Sequence, residues 1–373
     1  MSTEPRLLVV VINPASGLRR AESIWLDTVK PIFNNAGWAT DDDEDSKVFI
    51  SHSQHEMEQF LAALDSERET VVVAIGGDGL VHGLINALQK SPFKSLTLGA
   101  IPAGSGNALC TSLGIFTPED AAHRIVAGQT QPLNISSVHI GDAADAKDDT
   151  KVPPVLRYSF CVVSWGLHAQ IVRGSEAWRF LGNQRFSLVA RFNLVFFHKY
   201  RGTLRLKDVH EVSVPQTPPE DSSSTPSTPP TPILTPSAAD FTSPTQTFSY
   251  FLATKMSSLE RGFRIAPHAT PHDACLDLIL APDCDRAQTI QMLTGALTSG
   301  SHATQESVKL LKVRGMVLVP DAGSCSRRGS WFGFGGKLVS DVCIDGEMIE
   351  LEAGKALWVR ILDEADQKFR VLC

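Results

Sequence analysis

The 373-residue chain has no C-x-x-C pair; its seven cysteines, at 110, 161, 275, 284, 325, 343 and 373, are scattered. An odd, unpatterned set behind an N-terminus with no leader-like stretch reads as reduced thiols in an intracellular protein. That speaks against a disulfide framework. Long apolar runs are missing too. None approaches the ~18 residues that suggest a membrane-spanning helix, and the apolar stretch "FSLVARFNLVFF" is short and contains Arg191. Basic residues are in deficit, with a net charge of -7. That balance argues against nucleic acid as the main partner, because phosphate backbones select basic surfaces, and it leaves room for a local basic pocket. What remains is an ordinary soluble composition, 43% hydrophobic and 20% charged, able to meet a membrane only at its surface.

The length exceeds one ordinary core, so two domains are expected. Over residues 1–130, apolar runs alternate with helical patterns: "LLVVVI" then a helix over 19–35, "KVFI" then 53–64, "TVVVAI" then 79–89, and "LTLGAI" then 105–113. Short continuous apolar strands between helices predict an α/β domain with a doubly wound parallel sheet, whose ligands bind at the carboxyl ends of the strands. Over 131–373, strand-like runs such as "LRYSFCVVSW", "FSYFLAT" and "CLDLILA" predict a mostly β domain. Nine of the 22 prolines fall in 213–246 among Ser and Thr. Such a segment buries too little apolar surface to order itself, and it is expected to be a disordered insertion.

Three glycine-bearing turns close the strands of the first domain: "NPASG" (13–17), "GGDG" (76–79) and "PAGSGN" (102–107). Two of them nearly match nucleotide motifs. "GAIPAGS" has P-loop spacing but Ser105 where Lys is required, and "GDGLVHG" is one residue too long for a dinucleotide fingerprint. Each turn alone is most simply a capped turn. Together they follow separate strands of one sheet and can converge on one crevice. Glycine turns supply backbone donors for phosphates, and Asp78 supplies an acceptor and base, which is the division of labour that phosphoryl transfer needs.

"NPASG…GGDG…PAGSGNAL" resembles the catalytic domain shared by diacylglycerol, sphingosine and ceramide kinases, and "SWG" (164–166), "GNQRF" (182–186) and "DGE" (345–347) are most similar to the sphingoid long-chain base kinase branch. The resemblance implies a C-terminal β-sandwich that binds lipid, ATP in the cleft between the domains, Mg²⁺, and cytoplasmic residence with peripheral association to intracellular membranes. It makes Asp78 the base for the lipid hydroxyl and places Asn13, Ser51, Gly76, Gly77, Gly104, Ser105, Gly106, Arg179 and Arg185 at the nucleotide. Asp345 and Glu347 would also face its phosphates, acting through the metal. Leu167 and Glu176 would meet the substrate. A sphingoid base is the expected substrate, with diacylglycerol, ceramide or a non-catalytic lipid-binding role as alternatives. Where that branch carries an acid for the substrate amine, this chain has Gln170 and Val172, then Arg173. Trp178, Phe180, Phe186 and Phe192 read equally as pocket lining or as core. His82 reads as a helix-face residue.

Overall fold

The computed structural model describes residues 7–182, 184–213, 233–242, 245–328 and 337–373. Its first sheet is built on β1 (Leu7–Ile12), β2 (Ser46–Ile50), β3 (Thr70–Gly76) and β4 (Leu96–Pro102), parallel and in the order β2-β1-β3-β4. β1 and β3 are buried along their whole length. Continuous runs of Val, Ile and Leu suit strands covered on both faces. The order reverses between β1 and β3, so the connecting turns diverge there and leave a crevice at the carboxyl ends. The first helix runs from Ala21 to Asn35 with a π-helical stretch at Trp25–Val29, just before Pro31. Proline has no N–H to give to the regular ladder, and a widened turn accommodates that loss.

The sheet does not end with the first domain's sequence. Phe369–Leu372, at the end of the chain, lies parallel to β4, and Thr130–Pro132 pairs with its other edge. A single boundary at 130 therefore assigns the last strand to the wrong sheet.

Among the described residues the second sheet has thirteen strands, all antiparallel where they pair. Tyr200–Ser213 ties it together, pairing with Gln246–Thr254 through 200–202, with Gly315–Pro320 through 202–207 and with Lys309–Val313 through 210–211. Fully buried Trp165 meets Tyr200, Phe248 and Phe251 edge-on, and its indole N–H donates to Ser340 Oγ at 2.6 Å. The helices Leu167–Ser175 and Gln184–Val195 pack on each other at this sheet, Gly174 against Val189.

The expected disorder over 213–246 needs correcting. Residues 214–232 and 243–244 lie outside the described residues, but Ile233–Thr242 forms a strand antiparallel to Tyr200–Ser213. The register shifts between Pro236 and Ala238, the kind of irregularity at which a strand tolerates proline.

Candidate active site

The three glycine turns meet at the carboxyl end of the first sheet, and they do so backbone against backbone. A Cβ on Gly17 would lie 2.5 Å from Ala103 O; one on Gly77 would lie 3.0 Å from Gly104 Cα; and one on Gly104 would collide with Gly77 Cα. Gly17 also sits at φ +51°, a region that disfavours side chains. The glycines thus let neighbouring turns touch. Ala103 and Gly104 N–H both donate to Gly76 O, at 2.9 and 3.1 Å. Asn107, itself left-handed at φ 52°, closes the third turn through Gly104 N–H to its Oδ1 and its Nδ2 to Gly104 O. Asn13 folds its turn in the same way, its Oδ1 accepting from Ala15 N–H at 2.9 Å.

Asp78 opens the helix Asp78–Gln89 directly after β3 and reaches across to the third turn. Ala108 N–H donates to its Oδ2 at 2.8 Å and Leu109 N–H to its Oδ1 at 3.3 Å. A Cβ on Gly106 would lie 3.2 Å from the same Oδ2. Burial pushes the Asp78 carboxyl up to about 6, against the pull of those two N–H groups and with a further push from the Asp345 charge. A half-buried carboxylate near 6, at the junction of amide-rich turns, suits proton abstraction from an incoming hydroxyl near neutral pH.

The structure brings Asn13, Gly76, Gly77, Asp78, Gly104, Ser105 and Gly106 into this one crevice. Ser51 lies one strand outward, its N–H donating to Ile12 O at 2.8 Å. The segment 256–263 from the second domain covers the third turn. Leu259 O lies 3.3 Å from a Cβ on Gly106, and Ser112 and Ser258 share hydrogen bonds through Ser112 Oγ. Arg185 stacks on Phe186 and faces Glu260 of that segment, whose carboxyl burial raises. The side chains of Arg179 and Phe180 lie outside the described residues.

Five residues stand otherwise than expected. Asp345 does not face a metal: its side chain is wholly buried and accepts from Ser159 Oγ, from Phe160, Cys161 and Val162 N–H, and from His82 Nδ1 at 2.9 Å. Five donors leave no lone pair directed at an ion. Glu347 is half-exposed and spent on His82 Nε2 at 3.6 Å and Arg157 Nε at 3.4 Å. This pair therefore does not fit Mg²⁺, and no cluster of three or more metal-ligating side chains occurs among the described residues. Leu167 is 3% exposed and part of the main core. Glu176 stands exposed beyond the far end of the same helix, nine residues away or about 13 Å along the axis. Arg173 is not an open positive charge, since it pairs with Asp341 at 2.9 Å and Glu350 at 3.4 Å.

His82 is the residue whose place the sequence reading missed. It is buried, one turn after Asp78, between Asp345 and Glu347. Burial opposes its charge, but hydrogen bonds to the two carboxylates lift it to about 9. One turn further, Asn86 exchanges hydrogen bonds with Tyr158, its Nδ2 to the carbonyl and the Tyr158 N–H to its Oδ1, both 2.9 Å. Asp78, His82 and Asn86 form an i, i+4, i+8 polar stripe on an otherwise apolar helix. That spacing was the available signal.

Residues 7–138 match the diacylglycerol kinase catalytic domain, and residues 161–329 match the YegS C-terminal NAD kinase beta sandwich-like domain. The chain is 28% identical to ceramide kinase of Homo sapiens over 234 residues, 58% of this chain and 40% of that one. It is 25% identical to sphingosine kinase 1 of Arabidopsis thaliana over 342 residues, 85% and 65% of the two chains. Sphingoid long chain base kinase 4 of Schizosaccharomyces pombe is 24% identical over 84% of this chain. The chain thus spans about two fifths of the ceramide kinases it matches. A diacylglycerol kinase structure from Bacillus anthracis superposes with a TM-score of 0.57 at 11% identity, covering 100% of this chain and 98% of that one, which is a likeness of fold.

Proposed function

The chain belongs to the family that joins a diacylglycerol kinase catalytic domain to a YegS-type C-terminal domain, and from that premise we propose that it transfers the γ-phosphoryl group of ATP to a hydroxyl of a long-chain lipid. The observation that carries this reading is the seam of touching turns with the Asp78 carboxylate at its edge. Backbone N–H groups of the turns at 13–17, 76–77 and 104–106 receive the nucleotide phosphates, where fixed dipoles stabilise developing charge. Asp78 orients the lipid hydroxyl and takes its proton. His82 holds Asp345, and through it the second domain, against the helix that Asp78 begins.

A sphingoid long-chain base is the first substrate reading, supported by the names of the Arabidopsis thaliana and Schizosaccharomyces pombe relatives. One observation favours a neutral lipid alcohol such as a diacylglycerol or ceramide instead. The helix Leu167–Ser175 carries no carboxylate for an ammonium, and its only cation is paired. Peripheral membrane docking is supported by the helix Gln184–Val195, whose Leu188, Phe192 and Val195, with Phe196 beyond its end, are exposed.

Labelled ATP offered with sphingosine, ceramide and diacylglycerol separates these readings. Wild-type protein is expected to label one lipid class, and Asp78→Asn to lose about 10²- to 10⁴-fold in turnover while still binding ATP. Labelling of none of the three, or a fully active Asp78→Asn, would remove the proposal.

A further inference from the structure

On the second sheet, away from the turns, Lys207, Gly315 and Arg360 sit side by side across three antiparallel strands, Tyr200–Ser213, Gly315–Pro320 and Lys355–Ile361. Residues directly opposite in such strands project to the same face. Lys207 and Arg360 therefore flank a position with no side chain. A Cβ built on Gly315 would make ordinary contacts with Val359 O at 3.4 Å, Arg360 Cγ at 3.6 Å and Lys207 Cβ at 3.9 Å, so the two cations stand on either side of a position that a side chain could take without a clash. Arg205, two residues before Lys207, lies on the same face and lines the same hollow.

Among the described contacts one carboxylate meets these cations, and Asp240 stands opposite Lys207 on the neighbouring strand Ile233–Thr242. Asp149 lies 2.8 Å from Lys207 Nζ and 3.7 Å from Arg205 Nη1. The Lys207 hydrogen bond holds its carboxyl below the usual range, helped by the charges of Arg205 and Arg360. Arg205 spends one N–H on Ala146 O. Arg360 Nη2 is buried and meets no hydrogen-bond acceptor among the described residues. A buried donor without an acceptor is costly, and native structures rarely keep one unless a ligand or water supplies the acceptor. Arg205, Lys207 and Arg360 outnumber Asp149 and the cross-strand Asp240, which gives this hollow a cationic excess in a chain whose net charge is -7. A guanidinium and an ammonium on either side of a glycine are donors of the kind that phosphate oxygens take.

We propose that the hollow over Gly315 is a phosphate-anion site, with Lys207 and Arg360 on either side of the bound group and Arg205 and Asp149 at its rim. A soluble phosphate and the phosphomonoester head group of an anionic lipid carry the same chemistry, and the site recognises that chemistry.

The full chain is titrated calorimetrically with inorganic phosphate and sedimented with vesicles of phosphatidylcholine alone or doped with phosphatidic acid. Wild type is compared with Arg360→Gln, Lys207→Gln and Gly315→Val, the last filling the hollow while keeping every charge. Binding to phosphate or to the doped vesicles is expected, weakened about tenfold or more in each variant, as for loss of a charge-assisted hydrogen bond, and by added salt. Lipid phosphorylation at the turns is expected to be unchanged. Variant-sensitive binding to the vesicles alone assigns the site to lipid head groups, and to both probes assigns it to phosphate generally. Lys207→Gln and Gly315→Val keep the test decisive if Arg360→Gln fails to fold. Absence of binding to either probe, or binding equal in wild type and every folded variant, overturns the proposal.

Discussion

At the scale of single residues, two titrating groups one helical turn apart are driven in different ways. Asp78 is raised to about 6 chiefly by burial. As the proposed base it must be ionised, so kcat/KM for the lipid is expected to fall about tenfold per pH unit below 6 and to level off above it. A pH–rate profile flat down to pH 5 would remove Asp78 from the proton transfer. His82 is raised to about 9 by its two carboxylates despite its burial. Its folded value lies above the unfolded one of about 6.5, so its stabilisation is complete below pH 6.5 and is lost as pH rises through 9. Each unit of such a shift is worth about 1.4 kcal/mol. The Tm of wild type should therefore fall more steeply between pH 6.5 and 9.5 than that of His82→Gln, which should already be lower at pH 6.5. Parallel curves would mean that the His82–Asp345 contact carries no charge. Asp78 was legible in the sequence because its glycine neighbours advertise a turn. His82 was not, because its partners lie 263 and 265 positions along the chain.

Among the elements, the strands of the first sheet follow from their residues: a run such as "VVVAI" is buried on both faces wherever it lies. The glycine turns were read correctly as convergent, but for an incomplete reason. Their missing side chains make room for one another at least as much as for a phosphate. The helix Gln184–Val195 shows the limit of periodicity. Its apolar residues at 188, 192 and 195 fall on one face, as a core-facing helix would place them. Here that face is open, with Phe192 64% and Phe196, just past the helix, 58% exposed. Phe192→Ser/Phe196→Ser is expected to weaken cosedimentation with lipid vesicles severalfold, while activity on detergent-dispersed substrate is kept. Unchanged vesicle binding would assign the patch to something other than a membrane.

In the molecule as a whole, the last strand decides how the two sheets are joined. Phe369–Leu372 lies inside the first sheet, between β4 and Thr130–Pro132, with Phe369, Val371 and Leu372 buried. Ending the chain at Lys368 would strip β4 of its outer partner and remove those buried side chains, each worth roughly 1.5–3 kcal/mol. Such a protein is expected to lose most of its cooperative thermal transition, read by calorimetry, although the deletion lies outside the residues matched by the catalytic domain. A Tm within a few degrees of wild type would show that the strand is an accessory. The sequence by itself determined the strand runs, the turns at their ends and the carboxylate among the glycines, because each depends on neighbours within a few residues. Only the tertiary structure decided that Asp345 is locked in a cage of five donors, that Arg173 is neutralised, that Leu167 is core and that Lys207 and Arg360 flank one glycine. Each of those outcomes depends on which distant strands lie side by side, and local periodicity does not encode that pairing.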